Sequence, residues 1–356
     1  MERTRNPNTL PSERELAASV APRLRQLLPA GWGVEPAPGP PEADGSVRIT
    51  APDGRQVLAI VEAKTRLNAR DVPYALERAR AVAGPQPVIF AAAYVSPRAR
   101  EALIDAGASY LDATGNVRVS LSEPGLAVVA PGASRDPYRH PERRKQSLEG
   151  VPAARVVRAL VDRQPPWTMR QLAQEAGTSL GSTARTVDFL DREAFVRRDD
   201  RGSIQDVDWA ALLRRWAEDY DIRAGRKVVT ALAPRGLRAV EDRLRKSDIS
   251  YALSGSLAAS RWAPYAEPRL GLVYTPDADR ALGEIGARET ATGANLVLLE
   301  PQNDALPFER RRTEDGLAVV APSQAVVDLL SGPGRNPEEA MALLDWMRTN
   351  ERTWRG

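Results

Sequence analysis

Cysteine is absent from this 356-residue sequence, and histidine occurs once, at His140. No disulfide and no Cys-based zinc site can form. His-rich metal clusters are excluded, and a Ser-His-Asp triad has almost no room. Aromatic residues make up only 5%, so the cores should consist mainly of Ala, Val and Leu. No run of about 18 apolar residues occurs, so no segment is expected to span a membrane. The stretch Met1 to Leu10 is polar, and no signal peptide is expected there. A cytoplasmic location follows by elimination. An excess of one charge sign is also missing: the formal net charge of +3 is too small to announce a nucleic-acid partner by itself. The cations are mostly Arg, which suits bidentate phosphate and guanine contacts, but a GC-rich genome encodes the same bias, and that is the reading adopted. What remains is ordinary for a globular chain, 42% apolar and 27% charged, long enough for two or three domains.

Four segments follow along the chain. Residues 1–132 read as an α/β domain, 133–149 as a basic linker, 150–222 as a largely helical segment and 223–356 as a second α/β domain. In the first, Ser12 and Glu15 form a capping-box pattern before a helix from about Glu13 to Leu28. Two strands, Val47–Thr50 and Val57–Val61, flank the turn Pro52-Asp53-Gly54. Helices near Arg70–Val82 and Pro97–Ala106 alternate with strands at Val88–Ala91, Ser109–Leu111 and Asn116–Val119, which predicts a mixed sheet packed by helices. The linker carries Arg135, Arg139, Arg143, Arg144 and Lys145 against Asp136 and Glu142, and should be exposed and flexible.

The central segment holds one contiguous pattern. Val156, Val157, Leu160 and Val161 make an apolar stripe at helical spacing, which Pro165-Pro166 stops. Thr168 caps a second helix with Met169, Leu172 and Ala173 inward. Gly177 makes the turn, and a third helix runs from Ser179 to about Glu193 with Val187 and Leu190 buried. A hairpin follows, Ala194–Arg198 and Ser203–Val207 around Asp199-Asp200-Arg201-Gly202. Ser179, Gly181, Ser182, Thr183 and Arg185 give the third helix a slim leading half for a major groove about 12 Å wide. Arg197, Arg198 and Arg201 on the hairpin can hold phosphates. The expected DNA-contacting residues are therefore Thr168, Ser179, Ser182, Thr183, Arg185, Thr186, Arg197, Arg198 and Arg201. Acidic and basic residues nearly balance between Leu148 and Tyr220, which leaves open a protein-interaction role. The residues Leu172-Ala173, Ala176-Gly177, Ser179, Leu190, Val196 and Arg198 resemble the pattern of winged-helix repressor families. That resemblance covers about 60 residues and implies a winged helix-turn-helix that binds double-stranded DNA.

In the first domain, Glu62-Ala63-Lys64 ends a buried strand, where residues two apart point to one face. Asp44 can join them from the preceding segment, with Asp53 as a rival. Two carboxylates suit Mg²⁺ through hard oxygen ligands, and Lys64 can orient or activate water beside a metal-polarised phosphate. The element order and these residues resemble the PD-(D/E)xK nuclease superfamily, although the helix after Lys64 lacks the Gln-x-x-x-Tyr pattern of one branch. The resemblance implies a restriction-endonuclease-like fold, with Asp44, Glu62 and Lys64 catalytic and Asp44 and Glu62 the Mg²⁺ ligands if the site is active. Asp112-Ala113-Thr114-Gly115-Asn116 reads as a turn, with Gly115 at positive φ.

In the last domain, Ser254-Gly255-Ser256 before a helix resembles the opening motif of nucleotidyltransferase-fold proteins, where such a turn holds phosphates. The strand that would supply an Asp-x-Asp pair reads Arg269-Leu270-Gly271-Leu272-Val273-Tyr274, and Asp277 and Asp279 come too late. No transferase activity is expected, and a plain strand-to-helix turn is an equal reading of Gly255-Ser256. Residues 150–350 together resemble the antitoxins of abortive-infection type IV toxin–antitoxin systems, which implies transcriptional control and a protein partner.

The fold class expected is multidomain α/β plus winged helix: a nuclease-like front, a central winged helix and a nucleotidyltransferase-like back. The leading function is a DNA-binding transcriptional regulator, with homodimerisation and a protein partner as further expectations. The alternatives are a metal-dependent DNA endonuclease of phage defence targeted by the winged helix, and an antitoxin-like interaction module.

Overall fold

The computed structural model describes residues 10–138, 147–301 and 311–356. The polar start up to Thr9 and residues 139–146 of the expected basic linker, which include Arg139, His140, Glu142, Arg143, Arg144 and Lys145, lie outside the described residues. The chain forms two compact units, Met1–Arg144 with Asp188–Ala194 and Lys145–Val187 with Phe195–Gly356. The segments read from the sequence as 150–222 and 223–356 thus share one unit, apart from Asp188–Ala194. No helix among the described residues is long and apolar enough to cross a membrane.

The first unit begins with α1 (Glu13–Leu27), β1 (Gly33–Pro36), β2 (Gly45–Thr50) and β3 (Gln56–Lys64). It continues through α2 (Val72–Ala83), β4 (Val88–Ala92), α3 (Pro97–Asp105), β5 (Ser109–Asp112), β6 (Val117–Leu121) and β7 (Leu126–Ala130). The capping box expected at α1 is present, with Glu15 accepting from the Ser12 backbone at 2.9 Å. The strands form one mixed sheet in chain order, β1 to β7. Pairing is parallel for β3–β4 and β4–β5 and antiparallel elsewhere. Leu16, Val20 and Leu24 recur at helical spacing on α1 and join Ala59, Val61 and Ala63 in one core. Leu76 and Ala79 of α2 and Leu103 of α3 join Ile60 and Phe90 in the core on the opposite side. Alternation along β3 therefore sends Glu62 and Lys64 toward the side that α2 occupies.

The expected turn at Asp112–Asn116 is present, with Gly115 at φ +99°. It is also a buried polar hub. The Asp112 carboxylate accepts from the backbone N–H groups of Val95, Thr114 and Asn116 and from the Thr114 hydroxyl and Asn116 amide, at 2.7–3.0 Å. This burden of donors fixes the turn and leaves the carboxylate to structure.

The chain then runs through α4 (Val151–Asp162), α5 (Met169–Glu175) and α6 (Leu180–Arg192), of which the residues from Asp188 on belong to the first unit, to a two-stranded hairpin, β8 (Val196–Arg198) with β9 (Ile204–Val207). Val156, Val157, Leu160, Leu172, Val187 and Leu190 are all fully buried, as their spacing predicts. Gly177, at φ +58°, makes the turn between α5 and α6 that a side chain would strain. Trp167 and Ile204 exchange backbone hydrogen bonds at 2.9 and 2.8 Å, which adds a third short extended segment to the hairpin.

The chain continues through α7 (Trp209–Asp219), β10 (Arg226–Leu232), α8 (Gly236–Lys246), β11 (Ala252–Ser254), α9 (Gly255–Ala259), β12 (Gly271–Tyr274), α10 (Ala278–Ile285), β13 (Arg288–Glu289) and β14 (Leu296–Pro301). Last come β15 (Arg311–Arg312), β16 (Ala318–Val319), α11 (Pro322–Leu330), α12 (Asn336–Thr349) and α13 (Glu351–Trp354). The second sheet runs β13-β10-β14-β12-β11-β16-β15. Arg355, buried after α13, donates to the carbonyls of Leu160 and Val161 at 3.1 and 3.0 Å and so caps the end of α4. Trp354 packs edge-on against Trp209 of α7, 5.1 Å between centroids.

Candidate functional site

The β2–β3 register decides the first site. Gly45 pairs with Val61, so Asp44, one residue before β2, falls beside Glu62. The Asp44 carboxylate accepts from the Ala63 backbone N–H at 2.8 Å and stands 3.9 Å from the Lys64 ammonium. Lys64 Nζ lies 2.6 Å from Glu62 Oε1. The three residues named from the sequence therefore converge, whereas the rival Asp53 does not join them. Backbone and side-chain hydrogen bonds from Arg55 engage Asp53 and hold its carboxyl below the usual range.

Glu62 is 3% exposed, and Lys64 and Asp44 border it at the solvent edge. Although Lys64 is close to Glu62 Oε1, that buried oxygen accepts no hydrogen bond of good geometry. Its charge is met by Lys64 and Arg78, so a hard cation held by the Glu62 and Asp44 oxygens would share that carboxylate with the Lys64 ammonium. No cluster of three or more His, Asp or Glu side chains suited to a metal occurs among the described residues. Mg²⁺ would therefore rest on Asp44, Glu62 and water, a set that this ion accepts. Bound there, it would supply Lewis-acid stabilisation of a phosphate. Lys64 would hold a proton-bearing ammonium next to it.

Two residues near this cluster escaped the sequence reading. Arg78 of α2 places a guanidinium 3.7 Å from Glu62 Oε1. Glu13, the first residue of α1, accepts from the Thr65 backbone N–H at 3.4 Å, one residue beyond Lys64. Neither carries a local signal, because both reach the site only through the packing of their helices on the sheet.

The second candidate site is the leading half of α6 with the hairpin. Ser179, Leu180, Gly181 and Arg185 are exposed and Ser182 is partly so. Ser179 bridges to Ser182 between hydroxyls at 3.0 Å, and Arg185 donates to the Ser182 hydroxyl at 3.1 Å. The sequence reading is corrected at Thr183 and Thr186, which are fully buried. Thr183 Oγ1 donates to the Ser179 carbonyl and pairs with the Thr178 hydroxyl, and Thr186 Oγ1 donates to the Ser182 carbonyl. At i, i+3 and i, i+4 spacing, three residues of a stretch can share the exposed face only if others turn inward. Thr168 is exposed, but its hydroxyl closes the capping box of α5 with Gln171. Arg197 and Arg201 are exposed and Arg198 half-buried on the hairpin, whose turn Asp199 fastens by accepting from the backbone N–H groups of Arg201 and Ser203.

The Ser254-Gly255-Ser256 turn, with Gly255 at φ +55°, is buried. Its phosphate-holding reading is corrected: Ser254 donates to the Asp328 carboxylate at 2.5 Å, and α9 behind it has only five residues. Asp328 also accepts from Tyr220, Tyr274 and Gln324 at 2.9 Å. Burial pushes the Asp328, Tyr220 and Tyr274 side chains above their ordinary values. Asp277 caps α10 and Asp279 pairs with Lys227 at 3.0 Å.

No protein-family model, curated protein or solved structure matches the chain.

Proposed function

We propose that the chain is a regulator that binds duplex DNA, with α4 to α6 and the β8–β9 hairpin acting as a winged helix. The observation that carries this is the exposed start of α6, where Ser179, Gly181 and Ser182 are small and Leu180 is the one large side chain, with Arg185 one turn on. Such a start fits a major groove, and the exposed Arg197 and Arg201 of the hairpin suit the sugar-phosphate chain. The Trp167–Ile204 backbone pairing supports the reading, because it gives the hairpin the extra short strand of a wing. A cytoplasmic location, homodimerisation and a regulatory protein partner belong to the same reading.

The test is selection of bound duplexes from a random pool, followed by gel shift with Arg185→Ala. If Arg185 reads a base, the substitution should weaken specific binding by about 1–3 kcal/mol while sparing non-specific binding. Equal affinity of the two proteins for the selected site would remove Arg185 from the interface.

A second reading is favoured by the convergence of Asp44, Glu62 and Lys64: a metal-dependent DNA endonuclease directed by the winged helix. In that role Asp44 and Glu62 hold the cation, and Lys64 orients water and offsets charge. Plasmid cleavage in Mg²⁺ or Mn²⁺ should then fall by at least about a hundredfold in Glu62→Ala and in Lys64→Ala. Cleavage unchanged in both variants would assign the cutting to a contaminant.

A further inference from the structure

We infer that the solvent face of α2 beside Asp44, Glu62 and Lys64 binds an unpaired nucleotide of single-stranded DNA, Arg78 taking its phosphate and Tyr74 stacking on its base. The inference rests on the second reading above, that this cluster meets the DNA backbone.

The observations are independent of the winged helix. Tyr74 leaves 72% of its surface to solvent, although an aromatic ring gains from being covered. Arg78 follows it by four residues, so the two side chains lie on one stripe of the helix. The opposite stripe, Val72, Ala75, Leu76 and Ala79, is buried in the core, which fixes α2 and turns Tyr74 and Arg78 outward. Arg78 also stands 3.7 Å from Glu62 Oε1 while keeping 52% of its side chain exposed. It thus links the exposed ring to the Asp44, Glu62 and Lys64 cluster.

The chemistry of the stripe selects the ligand. Lys64 and Arg78 are balanced by Glu62 and Asp44, but Arg78 alone of the four keeps half of its side chain in solvent, so its guanidinium is the group that can meet a phosphodiester. A ring one helical turn away suits the flat face of a base. In a duplex that face is already stacked, so a base must be unpaired to cover Tyr74. A strand end, a gap, a junction or an opened duplex would present such a base.

The experiment uses the full chain in EDTA, so that no cleavage intervenes, and an oligothymidine carrying one 2-aminopurine as the probe. Binding should quench the 2-aminopurine. Tyr74→Ala should lose the quench and weaken binding by about fivefold to a hundredfold, the range one base–aromatic stack supplies. Tyr74→Phe should retain both. Arg78→Ala should weaken binding and flatten its salt dependence by about 0.7 in log–log slope, as one lost phosphate contact requires, with the quench of the bound probe intact. Equal binding and quench in Tyr74→Ala overturns the inference. So does a protein that shifts selected duplexes yet leaves the oligothymidine free, and that result leaves the winged-helix reading standing. Quenching that persists in a protein unable to cut plasmid would remove the nuclease reading and keep the binding face.

Discussion

Single side chains in α6 divide between an exposed face and a buried one. Thr183 illustrates the division. Its hydroxyl is spent on the Ser179 carbonyl and on Thr178 inside the unit, so it has nothing to give a base. Thr183→Val keeps the shape and removes those bonds. It should lower stability by about 1 kcal/mol, read in urea unfolding. Its affinity for the selected duplex, measured well below the unfolding transition, should equal that of the unchanged protein. A specific loss of affinity at intact stability would return Thr183 to the interface. Arg185 is the contrasting case, since its guanidinium is exposed and donates to the neighbouring Ser182 hydroxyl.

At the scale of elements, local sequence signals decide helices well and strand partners poorly. The capping box at α5 is such a local signal, because Thr168 and Gln171 satisfy each other within one turn. Thr168→Ala should cost about 1 kcal/mol and Thr168→Ser little, as thermal unfolding would register. Parity of the alanine and serine variants would mean that the helix start is held by packing instead. Periodicity also revealed the buried stripes of α4, α5 and α6 and the strands β2 to β6. It missed β1, which lies among Gly33, Pro36 and other loop-forming residues, and β7, a five-residue sheet edge that pairs on one side only. The candidate site was half legible. Glu62 and Lys64 share a face by strand alternation alone, but choosing Asp44 over Asp53 needed the β2–β3 register, which no local pattern encodes. Arg78 was hidden for the same reason, because its approach to Glu62 depends on where α2 packs.

At the scale of the second unit, α7, which follows the hairpin, is joined to β12 and α11 by buried polar bonds across the boundary read from the sequence near residue 222. Tyr220, at the end of α7, and Tyr274 of β12 both donate to Asp328 of α11, and Arg226 lies 5.5 and 5.7 Å from their ring centres. Burial raises the Asp328 carboxyl above its usual 3.8 despite the donors around it, so the folded chain holds that proton more tightly than the unfolded chain does. The sign follows. The stability that this proton confers is complete below the usual value and is lost as pH rises through the raised one. Asp328→Asn cannot titrate. The unfolding midpoint of the unchanged protein, taken relative to the asparagine variant, should therefore be highest in acid and fall as the pH climbs from about 4 towards neutrality, then level off once the folded carboxyl has ionised. A relative midpoint that instead grew towards neutral pH would mean that the Ser254, Tyr220, Tyr274 and Gln324 donors outweigh desolvation. The network would then favour the carboxylate and fasten α7 to the sheet most firmly when charged.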